Sequence, residues 1–84
     1  MLLSPMEIAR ICQEQNAAYC RAIGRPDLAD PWNDLSNEEK LACEVVVNKI
    51  LADPNITVTE FKNNVEKIMY TMLVAMVHVL AETN

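Results

Sequence analysis

An 84-residue chain that is 51% hydrophobic, with one glycine, is a single small domain near the size where one core barely suffices. Its composition excludes a β-sandwich in favour of an aliphatic, Met-bearing helical core. Seven Lys+Arg against twelve Asp+Glu leave a net charge of -5, which excludes a binder that tracks the nucleic-acid backbone through a basic face.

Taken in order, the opening Met-Leu-Leu-Ser-Pro lacks a basic run and is too short for a signal peptide, so a cytoplasmic protein is expected. Ser4-Pro5-Met6-Glu7 is a helix start, with Ser4 as cap, Pro5 in the first turn and Glu7 closing a capping box. The helix is expected over about 5–22, with Ile8, Ile11, Cys12, Gln15, Ala18, Tyr19 and Ala22 on its buried side and Gly24 as its stop. Arg10 and Glu14, four apart, are expected to pair on the solvent side. The stretch from Gly24 to Trp32 holds Pro26, Pro31 and the only tryptophan, and reads as a loop with an aromatic lid. Ser36-Asn-Glu-Glu39 is a second capping box and opens a helix over about 37–52, closed by Asp53-Pro54. Its Val45-Val46-Val47 run is β-branched, yet the flanking helix formers favour a helix. Asn48 is expected either to be satisfied in the core or to face a partner.

Thr57-Val-Thr-Glu60 reads as a third capping box, starting a last helix over about 58–82. Its run from Ile68 to Ala81 passes fourteen residues without a charge. That is too short to span a bilayer, which needs about 20 apolar residues. At helical spacing it carries three apolar stripes: Phe61, Val65, Ile68, Met72, Ala75 and Val79; Met69, Leu73, Met76 and Leu80; Tyr70, Val74, Val77 and Ala81. A helix apolar all round must be buried all round, and so small a chain has little to wrap it. A homo-oligomer is therefore expected, with Ile68, Met69, Met72, Leu73, Met76, Val77 and Leu80 at its interface. The fold class expected is all-α: one domain over 1–84, three helices with a Trp-bearing loop and a long hydrophobic C-terminal oligomerisation helix.

Little chemistry is visible. His78 stands alone between Val77 and Val79, there is no Gly-rich phosphate loop, and Glu38-Glu39 is accounted for by capping. Cys12, Cys20 and Cys43 fit no metal or disulfide spacing and read as small buried hydrophobes in a reducing compartment. No catalytic group, metal or cofactor is expected, and neither a nucleic acid nor a membrane is an expected partner.

The first half nonetheless resembles a known family. Ile8-Ala-Arg-Ile-Cys-Gln-Glu-Gln-Asn-Ala-Ala-Tyr-Cys20, then Ala22-Ile-Gly24, Pro31-Trp32 and Leu51-Ala-Asp-Pro54, are similar to the small ryanodine-receptor-type (RyR) domain of phage and bacterial proteins. That family reads I-A-R-x-C-H-E-x-N-R-x-Y-C, A-x-G, then P-W or P-x-W and a helix ending L-x-N-P. The resemblance covers about residues 8–54, with Asn16, Tyr19, Gly24, Trp32 and Pro54 on family positions. The family's His is Gln13 here, its Arg is Ala17, a small Ser is Ala42, and its closing Trp-bearing segment is replaced by the Met-rich helix.

The resemblance implies a non-enzymatic module that binds a nucleotide-derived ligand in anti-phage defence. For a short stand-alone chain it implies a phage-encoded, oligomeric sponge in the host cytoplasm that sequesters a second messenger. The residues expected to bind are Gln13, Asn16 and Tyr19, a ridge at i, i+3 and i+6, with Arg21 and Arg25 for phosphate and Trp32 for stacking. The rival expectation is an interaction protein whose Met-rich helix docks in a partner's groove or self-assembles. A helix-turn-helix reading of Met6 to Arg10 has the acidic charge against it.

Overall fold

A computed structural model describes residues 3–83 of the chain. Met1 and Leu2 of the opening segment and Asn84 lie outside the described residues, as does the side chain of Ala81, a member of the third expected stripe. Among the described residues the fold is all-α, with helices α1 (Pro5–Ala22), α2 (Asn37–Ala52) and α3 (Asn64–Thr83), joined by short 3-10 turns and with no strand.

Local chemistry sets both ends of α1. Ser4 Oγ accepts from the Glu7 amide and Glu7 Oε1 accepts from the Ser4 amide, each at 3.1 Å. The Ser4 amide holds the Glu7 carboxyl below its usual range. At the far end Gly24 adopts φ 78, the left-handed value that glycine reaches without steric cost. The Arg25 amide then reaches back to Cys20 O at 2.8 Å and the Gly24 amide to Arg21 O at 3.1 Å, the pairing of a Schellman stop. Ser36 and Glu39 make the same reciprocal box at the start of α2, again at 3.1 Å each. Along α2, Ala42, Cys43, Val46, Val47 and Ile50 are buried, so the valine run lies on a helix with Val45 turned outward; Asn48 is exposed.

The buried face of α1 coincides with the expected one only at Ile8 and Cys12. Ile8, Ala9, Cys12, Gln13, Ala17 and Cys20 face inward, while Gln15, Ala18, Tyr19 and Ala22 are exposed. The chain from Pro26 to Leu35 folds back over α1 and takes its polar side chains as anchors. Gln13 Nε2 donates to Asp30 O at 2.7 Å, and Glu14 Oε1 accepts the Trp32 amide at 2.8 Å. Glu14 is therefore committed to the loop, and among the described residues no ion pair joins it to Arg10. Trp32, at 8% exposure, closes over the core together with Leu35, with Lys40 Nζ 5.7 Å from its ring centre.

The last helix begins later than the Thr-x-x-Glu pattern suggests. Thr57 Oγ1 bonds Thr59 Oγ1 at 2.8 Å instead of capping a helix, and Val58–Glu60 makes a single 3-10 turn. Phe61 is then extended and buried at 1% exposure, its ring 5.2 Å from that of Tyr70. Tyr70 Oη donates to Ile56 O at 2.8 Å, fastening this connection to α3. Phe61 reaches the core only if the chain leaves helical geometry there, and burying so large a ring outweighs one capping bond. Asn63 takes over as cap, its Oδ1 accepting the Val65 amide at 2.7 Å.

Within α3 the structure buries one seam, Met69, Leu73 and Val77, at i, i+4 and i+8, mainly against α2. These three expected interface residues belong to the chain's own core and are not on its outer surface. Ile68, Thr71, Ala75 and Val79 are exposed, while Met72, Met76 and Leu80 are half-buried at the flanks. The stripe expected to run from Phe61 to Val79 is thus broken at Phe61, which lies outside α3, and from Ile68 onward it forms the helix's outer side.

Candidate functional site

Two concavities beside α3 take in three of the six residues expected to bind, Gln13, Asn16 and Tyr19, and divide them. The first is a cleft of about 170 Å³ between Gln13 of α1, the loop residues Asp27 to Asp30, Leu35 and Glu39 at the start of α2, and Ile68, Met69 and Met72 of α3. The second is a groove of about 330 Å³ between α1 and α3, lined by Gln15, Asn16, Tyr19, Met72, Ala75 and Met76. Met72 belongs to both.

Gln13, Asn16 and Tyr19 therefore do not act as one ridge. Three residues advance a helix by about 300°, so six residues carry the side chain well round the axis. Gln13 is buried at 1% exposure, Asn16 is half-buried and Tyr19 is 63% exposed. Arg21 is exposed in the last turn of α1. Arg25 is already engaged: its Nε and Nη2 donate to the two carboxylate oxygens of Asp27 at 3.1 and 3.0 Å. That fork raises the guanidinium's pKa and lowers the carboxyl's. Trp32 lines neither concavity and serves as a lid on the core.

The electrostatics of the first cleft oppose a phosphate. Asp27, Asp30 and Glu39 stand on its walls, and no Lys, Arg or His does. Gln13 adds a further acceptor. Its Nε2 is spent on Asp30 O, and among the described residues no donor reaches the buried Oε1. Sequence reasoning selected Gln13 but missed Asp30, Glu39 and Ala75. The signal available for the carboxylates was two acids inside a proline-bracketed loop, next to the second capping box.

Among the described residues no group of three His, Cys, Asp or Glu could hold a metal ion. Among the same residues no helix is long and apolar enough to cross a membrane. The three cysteines are free and buried. Burial pushes the thiols of Cys12 and Cys43 up from 9.0 to about 11, with Glu39 adding to the effect at Cys43. The folded state thus holds these protons more tightly than the unfolded chain. Stability is fully present below about pH 9 and is lost as pH rises toward 11, on the order of 2 kcal/mol per thiol. Urea titrations between pH 8 and 11 should show this fall, and Cys12 and Cys43 should resist alkylation at pH 8 until the chain unfolds. Rapid alkylation of either in the native protein would contradict the assignment.

Compared with known proteins, the chain matches no family model, no curated protein and no solved structure to a significant degree.

Proposed function

We propose that the protein is a non-enzymatic helical module that self-associates through the outer side of α3. The observation that carries this reading is the exposure of Ile68 at 57% and Val79 at 51%, with Ala75 open between them on the same side of the helix. Tyr19 at 63% and Ile23 at 51% extend apolar surface onto the end of α1. Half-buried Met72 and Met76 lie between, and their flexible thioethers suit a surface that must pack against a second one. Multi-angle light scattering over a micromolar concentration series should give a mass that is a multiple of 9.5 kDa. A monomer throughout would sink the reading.

A second reading is favoured by one feature of the α1–α3 groove. Asn16 offers an amide, Tyr19 an open ring and Met72 and Met76 a floor, which together suit a planar, hydrogen-bonding guest. A second copy docked on α3 would roof this groove. The RyR-type resemblance then points to a nucleotide-derived signal, held by a phage-encoded sponge in the host cytoplasm. Calorimetry with cyclic dinucleotides and ADP-ribose-like molecules tests it, beside absorbance at 260 nm for a co-purifying nucleotide. Asn16→Ala and Tyr19→Ala should weaken binding, while Arg25→Ala should matter little because Asp27 already occupies that guanidinium. No binding by any member of the panel leaves self-association as the function.

A further inference from the structure

We propose that the cleft between α1, the 26–35 loop and α3 binds a small alkyl cation: an ammonium or guanidinium group carried on a hydrocarbon stem. Three observations converge on that chemistry.

Gln13 is the first. It forms part of the cleft wall at 1% exposure, its Nε2 donates to Asp30 O at 2.7 Å, and its Oε1 lacks a partner. A carboxamide oxygen can only accept, so any group that meets it there is a donor. Charge is the second. Asp27 is matched by Arg25, but among the described residues no hydrogen bond or ion pair holds the Asp30 carboxylate, and Glu39 commits only Oε1 to the Ser36 amide. The wall therefore carries the open Asp30 carboxylate and the second carboxylate oxygen of Glu39, and no Lys, Arg or His. A divalent metal does not answer the same description, because no three such groups among the described residues come close enough to hold one.

The apolar lining is the third. Leu28, Ile68, Met69 and Met72 face the same space as the acids, and Leu28 and Ile68 are more than half exposed. A hydrated inorganic cation gains nothing from such a surface. An alkyl ammonium or guanidinium lays its stem along it and directs its head to the acceptors. A cleft of about 170 Å³ is smaller than the usual pocket for a drug-sized ligand, so the guest is a short chain and not a nucleotide. This site shares Met72 with the Asn16–Tyr19 groove, while Gln13, Asp30 and Glu39 line this site alone.

Agmatine, with a guanidinium and an ammonium on a four-carbon stem, is the probe. Titrated into the labelled protein, it should give saturable NMR shifts at the Gln13 side-chain amide, the Asp30 amide and the Met69 methyl. Asp30→Asn keeps the backbone carbonyl that holds Gln13 and should weaken binding about tenfold or more, as expected for one lost charge-assisted hydrogen bond. Gln13→Leu removes the acceptor and should weaken binding as well. Since that variant also cuts the tie to the loop, the exposed Asp30→Asn change decides the matter if it fails to fold. Nα-acetyl-argininamide binding more tightly than agmatine would support the site and place the guanidinium on a protein's arginine. The proposal is overturned if agmatine gives no saturable shift at millimolar concentration, if neutral n-butylurea binds equally well, or if Asp30→Asn retains full affinity.

Discussion

Phe61→Ala should lose about 3–5 kcal/mol of folding stability and lower Tm by about 20 °C or more. Phe61 is 1% exposed, and it lies in the connection between α2 and α3, where no regular hydrogen-bond ladder holds the chain. Its ring touches Tyr70 on one side, while Lys49 Nζ stands 4.9 Å from its centre on another. Lys49 also pairs with Glu66 at 3.7 Å, so one side chain links α2, the connection and the first turn of α3. Removing the ring leaves a cavity under all three. A domain of 84 residues has about 4–13 kcal/mol of stability in total, so this single change takes a large share of it. Thr57→Ala and Glu60→Ala are the contrast: both side chains are exposed and neither caps α3, so each should cost less than about 0.5 kcal/mol. If denaturant midpoints rank these variants the other way, Thr57 caps the helix after all and Phe61 is dispensable.

Ile68→Glu combined with Ala75→Glu should disperse the proposed assembly, lowering the association constant at least about 100-fold, while leaving the single chain folded. Each new carboxylate would be buried without a partner at the contact, a penalty of several kcal/mol. Neither position contributes to the monomer's core, since Ile68 is 57% exposed and Ala75 is open. The chain already carries a net charge of -5, so added negative charge could disperse it by general repulsion. Ile68→Lys with Ala75→Lys moves the net charge the other way and should disperse it equally. Sedimentation velocity reads the mass and circular dichroism the fold. Wild-type mass in both double variants would place the contact on another surface. Leu73→Glu is not an equivalent test, because Leu73 is 0% exposed in the single chain and a charge there unfolds it.

How much of this was legible beforehand depended on how far apart the interacting residues are. Ser4 with Glu7, and Ser36 with Glu39, interact across three residues of backbone, so spacing alone was enough to read them. Thr57 with Glu60 has the same spacing and behaves differently, because Phe61 is drawn into a core built from α2 and α3. The buried side of α1 was misread for a related reason. Hydrophobicity assigned Tyr19 and Ala22 inward, whereas Gln13 and Glu14 are needed by Asp30 O and the Trp32 amide of a loop some seventeen residues away.

The expected binding residues divide along the same line. Arg25 and Trp32 were chosen for what their side chains can do, and local sequence does not reveal that Asp27 and the core already use them. Asn16 and Tyr19 do share a groove, but with Met72, Ala75 and Met76, residues more than fifty positions away. By itself the sequence determined what depends on neighbours within about one turn: the all-α class, the two working capping boxes, the Gly24 stop and the apolar character of the last helix. Only the tertiary structure decided which side of each helix is buried, where α3 begins and which polar groups stay available. Those outcomes are settled by competition for a small shared core, and an 84-residue chain has few side chains with which to fill it.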